Sequence, residues 1–219
     1  MRRRLPFEIL FEDDDVIVVA KPAGLLTVAT RAVGRAARES QPTVENLLND
    51  YVRRGQARSR NRVWLVHRLD RGTSGVMMFA KSEAVAEYFR ADWNALTEKT
   101  YVAKVEGVLK AESGVFESYL RDDPRTMRVR SVANPSQGKF ARTEWRKLGE
   151  RPGATLVEVK LRSGRKNQIR VHFSEAGHPV VGDVKYGARP AERLYLHAQT
   201  LRFRHPRDGE WRTFSFLPS

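Results

Sequence analysis

The sequence predicts an α+β fold: a single domain with a large mixed, mainly antiparallel β-sheet flanked by helices and loops. Three observations predict it. Short strand-like stretches follow one another near 114–120, 126–133, 140–148 and 154–162, close enough in sequence to pair as antiparallel neighbours. Helical apolar spacing is confined to a few segments, chiefly 44–52, 83–96 and 165–175. No repeat, low-complexity tract or linker divides the 219 residues, and an apolar content of 41% suffices for a core.

Residues 7–20 read as a strand pair, or as one strand entered by an acidic turn, because Asp13-Asp14-Asp15 runs straight into Val16-Ile17-Val18-Val19. Lys21-Pro22-Ala23-Gly24 stops it. The stretch 31–62 carries eight Arg, and within it only Val44–Val52 has helical spacing, at Val44, Leu47, Leu48 and Tyr51. A helix between two basic loops is expected there. Val63–Leu69 is a short apolar segment, 71–75 has turn chemistry, and Val76–Ala80 is a buried strand. Ser82 caps a helix over 83–96, and Thr100–Val108 alternates as a strand. After the four middle strands, Gly164 leads into a helix from Arg165 to Glu175, ended by Gly177 and Pro179. That start would put Arg165, Ile169 and His172 or Phe173 on one face, with the helix amides open to an anion. Segments 194–204 and 211–216 form a hairpin turning at Asp208-Gly209.

Forty Lys and Arg against twenty-six Asp and Glu leave a net charge of +14, which favours polyanionic partners and makes nucleic acid the first to consider. With no cysteine, disulfides, thiolate metal sites and cysteine nucleophiles are excluded. Apolar runs fall far short of the ~20 residues a spanning helix needs. The basic start leads into acidic residues with no apolar signal core, so neither membrane nor export is expected and the cytoplasm is the expected location. None of the five His has a partner at the i, i+4 spacing of a metal-binding helix. A magnesium site built from Asp13, Asp14, Asp15 and Asp70 is disfavoured, because successive acids alternate sides in a strand and more often form a hydrated turn. No metal is expected.

Two clusters can carry chemistry. Asp70 lies between Arg68 and a Gly-Thr-Ser-Gly turn, where small neighbours and a fixed backbone suit a nucleophile or general base; the competing reading is an Asp that caps the turn through the amides of Gly72 or Thr73. The second cluster, Leu161 to His172, offers Arg165 and Lys166 at a helix start, able to hold an anion or simply to be solvated.

Taken together, these segments resemble the RluA-type pseudouridine synthases. His67-Arg68-Leu69-Asp70-Arg71-Gly72-Thr73-Ser74-Gly75 is similar to that family's H-R-L-D-x-x-T-S-G signature, with Asp70 at its catalytic aspartate. Asp14–Leu26 resembles the opening segment with its Lys-Pro-x-Gly. Lys99-Thr100-Tyr101 through Gly107 resembles the strand bearing the family's active-site tyrosine, and Leu161–Asp183 the third motif. Leu196-His197-Ala198 and Phe203-Arg204-His205-Pro206 fit as well, so the likeness runs from about residue 10 to 216, in the family's order. Ser163 and Asn167 depart from it, standing where Thr and His are usual.

The resemblance implies a pseudouridine synthase fold and the isomerisation of uridine in ribosomal RNA, transfer RNA or both, by base flipping and without cofactor. Asp70 would be the nucleophile, Arg68 the side chain that fills the vacated stack, and Tyr101 the ring against the flipped uracil. Arg165 would pair with Asp70, and Ile169 would form an apolar wall. The arginines of 31–62 and a second basic run, 121–151, would grip phosphates. A monomeric catalytic domain over 1–219 is expected, without the small RNA-binding domain of the S4 type that precedes it in larger relatives. A silent RNA-binding protein on the same scaffold and a metal-dependent nuclease are the competing classes; the intact Asp70, Tyr101 and Arg165 argue against the first.

Overall fold

The structure, a computed structural model, describes residues 5–29, 42–54, 56 and 58–217. Residues 30–41, which hold most of the first expected basic loop, lie outside them. The architecture is α+β, as the sequence predicts, and falls into two compact units. One comprises 1–97 with 198–219, the other 98–197.

In the first unit, β1 (Glu8–Glu12) and β2 (Val16–Lys21) form an antiparallel hairpin through the acidic turn, so the strand-pair reading holds. The unit's strand order is β1-β2-β4-β10, with β3 (Trp64–Leu65) also on β4 (Ser74–Ala80) and β11 (Trp211–Ser215) on β10 (Leu196–Arg204). β2–β4, β3–β4 and β10–β11 are antiparallel. Every residue of β2 and β4 is buried, as their unbroken apolar runs demand. Helix α1 (Val44–Val52) is capped by Thr43, whose side chain accepts the Asn46 amide. Helix α2 (Glu83–Ala91) is capped by Ser82 as expected, but it does not run to Leu96. Asp92 leaves helical geometry (φ −149°, ψ 65°) and its carboxylate caps a separate turn, α3 (Trp93–Leu96), by accepting the Ala95 amide. The core lies where Phe89 of α2 meets Val18, Val76, Met78, Leu201 and Phe203.

The second unit contains β5 (Thr97–Glu106), β6 (Ser113–Asp123), β7 (Arg128–Val132), β8 (Lys139–Arg151) and β9 (Ala154–Leu161), in the order β5-β9-β8-β6-β7 with each of these pairings antiparallel. Helix α4 (Gln168–Glu175) covers one face, with Val171 packing in the same cluster as Leu120, Val129, Ala141 and Tyr186. Its C-terminus closes as a Schellman motif: the His178 amide reaches Phe173 O at 2.9 Å, the Gly177 amide reaches Ser174 O at 3.0 Å, and Gly177 takes φ +83°.

The start of α4 corrects the sequence reading. The helix begins at Gln168 and not at Arg165, because residues 163–167 form a turn held by side chains. Gln168 Oε1 accepts from Ser163 Oγ at 2.8 Å and from the Arg165 amide at 3.0 Å, while Asn167 sits in the left-handed region at φ 54°. Arg165 therefore shares no helical face with Ile169. Among the described residues, no helix is long and apolar enough to cross a membrane.

Candidate active site

The loop that carries Asp70 is held from both sides. After Leu65 the chain leaves the edge of β4, and the His67 ring takes over part of the ladder: its Nε2 accepts the Met78 amide at 3.0 Å. That bond requires a lone pair on Nε2, and the ring also stacks on Trp93 with centroids 4.7 Å apart. At the far end, β4 already includes Ser74 and Gly75. Gly75 has φ +118°, and a Cβ there would lie 2.1 Å from the Ala198 carbonyl oxygen of β10, so only glycine fits.

Between these anchors, the segment after β2 splints the loop. Thr27 Oγ1 donates to Leu69 O at 2.8 Å and accepts the Leu69 amide at 3.3 Å. The Gly24 amide reaches Arg71 O at 2.8 Å, and Arg71 Nε returns to Gly24 O at 3.0 Å. Lys21 Nζ donates to Pro22 O, Leu25 O and Arg71 O at 2.9, 2.8 and 3.3 Å. The turn itself closes through main chain, with the Thr73 amide donating to the Asp70 carbonyl at 3.1 Å. Arg68 is exposed at the tip.

In the sequence, Lys21 ends a strand and opens the Lys-Pro-x-Gly likeness, with no role of its own. It is 1% exposed. Burial pulls its ammonium down to about 8, and the nearby Asp70 carboxylate opposes that shift. The sequence signal was a lysine closing an otherwise apolar, β-branched run. Its proton leaves the native state near pH 8 and the unfolded chain near 10.5, so between those values the unfolded chain binds more protons and stability rises with pH. Urea titrations at pH 7, 9 and 10 should therefore show wild type gaining on Lys21→Met as pH rises, by up to roughly 3 kcal/mol across the window. A pH-independent difference would show that Lys21 is protonated alike in both states.

The other expected site residues lie in the second unit. Tyr101 is buried on β5, opposite Val159 of β9. Two positions earlier on the same face is Lys99, whose ammonium is lowered to about 8 by burial. Its Nζ lies 3.4 Å from where a Cβ on Gly164 would stand, an ordinary contact distance. The sequence marks Lys99 only as the start of the Lys99-Thr100-Tyr101 likeness, because one lysine beside a strand carries no signal of desolvation. Ile169 is buried on α4. Arg165 is exposed, and its Nε donates to Phe140 O at 3.0 Å.

The two departures in the third motif are absorbed by a polar network. Ser163 Oγ accepts the Arg142 amide at 3.1 Å, and Gln168 Nε2 reaches Arg142 O and Thr143 Oγ1 at 3.0 and 2.9 Å. Asn167 Nδ2 donates to the Tyr186 hydroxyl at 2.9 Å, and its Oδ1 accepts from Arg170, which forms a bidentate pair with buried Asp183 at 2.6 and 2.7 Å. Both residues thus serve the turn before α4.

The acidic turn has a different task. Asp13, Asp15 and His205 each bring a potential ligand atom to within 4.8 Å of the others. Asp13 Oδ1, however, accepts the Asp15 and Val16 amides, Asp13 Oδ2 meets His205 Nε2 at 2.8 Å, and Asp15 binds Arg207 at 3.0 Å. These carboxylates tie the β1–β2 turn to the turn between β10 and β11.

Known proteins resemble this chain along most of its length. A profile of the RNA pseudouridylate synthases matches residues 15–175. The dual-specificity RNA pseudouridine synthase RluA of Vibrio vulnificus is 34% identical over 96% of this chain and 82% of its own length. Ribosomal large subunit pseudouridine synthase C of Haemophilus influenzae is 33% identical over 95% of this chain and 64% of its own. The fold is also that of the human RNA pseudouridylate synthase domain containing 4, with a TM-score of 0.75 at 21% identity, over 95% of this chain and 87% of that one. With its signature loop intact and relatives of this kind along nearly its whole length, the chain belongs to the RNA pseudouridylate synthase family.

Proposed function

We propose that this protein converts specific uridines in structured RNA, ribosomal or transfer RNA or both, to pseudouridine by flipping the base and attacking with Asp70, acting as one monomeric catalytic domain in the cytoplasm. The observation that carries this reading is the Asp70 loop. A carboxylate on a turn splinted by the Thr27, Gly24 and Lys21 bonds, with a buried ammonium nearby, is fixed in place before substrate arrives. The product is an isomer of the substrate: the C1′–N1 bond breaks, C1′ joins C5, and C5 gives up a proton while N1 gains one. No electrons or atoms enter or leave, so a positioned nucleophile and proton carriers suffice.

Each remaining residue has a task in this reading. Unstacking the target costs a few kcal/mol, which exposed Arg68 helps to recover by filling the gap. Tyr101 supports the uracil with its ring, its hydroxyl being suited to the C5 proton, and Ile169 supplies an apolar wall. Arg165 pairs with the Asp70 carboxylate and keeps it ionised. Arg54, Arg58 and Arg60 are exposed beyond α1 and available to RNA phosphates.

Tritium release from C5-labelled uridine tests the reading, using RNA from cells lacking this gene. Release that persists in EDTA is the expected result. Tight binding without release would instead mark a silent RNA-binding protein, and strand cleavage lost in EDTA a metal-dependent nuclease. In the same assay, Arg165→Met should lower kcat about a hundredfold or more and move the acidic limb of the rate profile to higher pH, since loss of a neighbouring cation favours a protonated carboxyl. An unchanged profile would show that Arg165 does not serve Asp70.

A further inference from the structure

The second unit contains a cleft of about 490 Å³ between the β6–β7 hairpin, the turn at Pro135–Gln137 and the turn before α4. Its floor is apolar, with Leu120 of β6 and Val129 of β7 at 4% and 5% exposure. Its rim is cationic, with Arg121, Lys139, Arg165 and Lys166 against a single acid, Asp122. Lys166 is spent on that acid, its Nζ meeting the two carboxylate oxygens at 2.9 and 2.7 Å. The other three cations keep most of their capacity. Arg121 makes only a long 3.4 Å contact to the exposed Gln137 amide, Arg165 uses Nε alone on Phe140 O, and Lys139 has no ion pair among the described residues.

An apolar floor flanked by Arg121 and Lys139, two cations that the proposed chemistry does not use, asks for a ligand with a flat, weakly polar part and a dense negative charge. A nucleotide within an RNA strand has both. The volume falls within the range of about 300–1,000 Å³ typical of small-ligand sites. The Gln137 side chain offers both a donor and an acceptor at the rim, as reading a base edge requires.

We propose that this cleft seats one unstacked nucleotide of the RNA strand flanking the target uridine, its phosphate between Arg121 and Lys139 and its base over Leu120 and Val129. The inference rests on the function proposed above and adds a point of grip on the RNA strand to it. Such a subsite fixes the register of the strand and selects RNA whose flanking base can be splayed out.

The test compares wild type with Arg121→Gln/Lys139→Gln, both exposed or half-exposed positions, and with Lys110→Gln/Arg189→Gln as an equal loss of charge elsewhere on this unit. The binding probe is an oligouridylate octamer followed by anisotropy across a salt series. The cleft variant should bind about tenfold more weakly at low salt, with a slope of log K on log salt shallower by about 1.4, two contacts at ~0.7 each; the control should match wild type. With 4-thiouridine in the octamer, crosslinks should map to 120–139. Equal slopes for cleft variant and wild type, equal losses in cleft variant and control, or crosslinks confined to other segments would overturn the proposal. In the tritium assay the cleft variant should raise KM about tenfold while kcat falls no more than about twofold. If wild type releases tritium and the cleft variant behaves like it, the subsite fails alone; if wild type releases none, the proposed activity fails, and the octamer still decides whether the cleft binds RNA.

Discussion

Asp70→Asn should abolish turnover, lowering kcat by about four orders of magnitude or more, while RNA affinity stays within a few-fold of wild type. The amide matches the carboxylate in shape, and the loop around it is held by contacts that do not depend on that charge. The Thr27 hydroxyl on Leu69, the Gly24–Arg71 pair and the Thr73 amide on the Asp70 carbonyl all remain. What is lost is the single carboxylate in the motif, the group proposed here as the nucleophile. Single-turnover tritium release with a preparation purified from cells lacking the natural gene is the decisive measurement. Isomerisation at even one per cent of the wild-type rate would remove Asp70 from the role proposed for it.

The largest effect on stability is expected five residues further along. In Gly75→Ala the new methyl carbon would stand 2.1 Å from the Ala198 carbonyl oxygen and 2.6 Å from its amide nitrogen, both main-chain atoms of β10, at a backbone φ of +118°. Neither strand can yield without breaking the ladder, so the cost should exceed about 3 kcal/mol, seen as a Tm lower by roughly 10 °C or as failure to fold. Gly149→Ala is the matching control. It lies on β8 at a register irregularity, with nothing nearer than 4.0 Å to the added carbon, and should shift stability by less than about 0.5 kcal/mol. Thermal melts followed by circular dichroism separate the two. A Gly75→Ala protein that melts like wild type would mean that β4 and β10 do not press together there.

Gly75 and Asp70 show how far the sequence could be read. Both stood out in one motif, and the strand that follows was expected from its apolar run. The motif did not say why its last residue must be glycine, because the atom that forbids a side chain belongs to Ala198, more than a hundred residues away. His67 is similar. Its place beside Asp70 invites a catalytic reading, yet its ring completes a strand ladder on Met78.

The start of α4 was misplaced for a related reason. Helical spacing extends back to Arg165, but Gln168 spends its side chain on Ser163, the Arg165 amide and the strand residues Arg142 and Thr143, and these bonds stabilise a turn where spacing alone would continue the helix.

The sequence by itself determined the fold class, most strand positions, the basic charge and the motif that carries Asp70. These depend on periodicity, turn residues and composition, which act between near neighbours. Only the tertiary structure decided that Lys21 is a buried cation, that the Lys99 ammonium is desolvated, that Asp13 belongs to His205 across 192 positions, and that Arg121, Lys139 and Arg165 ring one cleft. Burial and charge pairing depend on which distant segments the sheet brings together, and a charged side chain looks the same in sequence whether water or protein surrounds it.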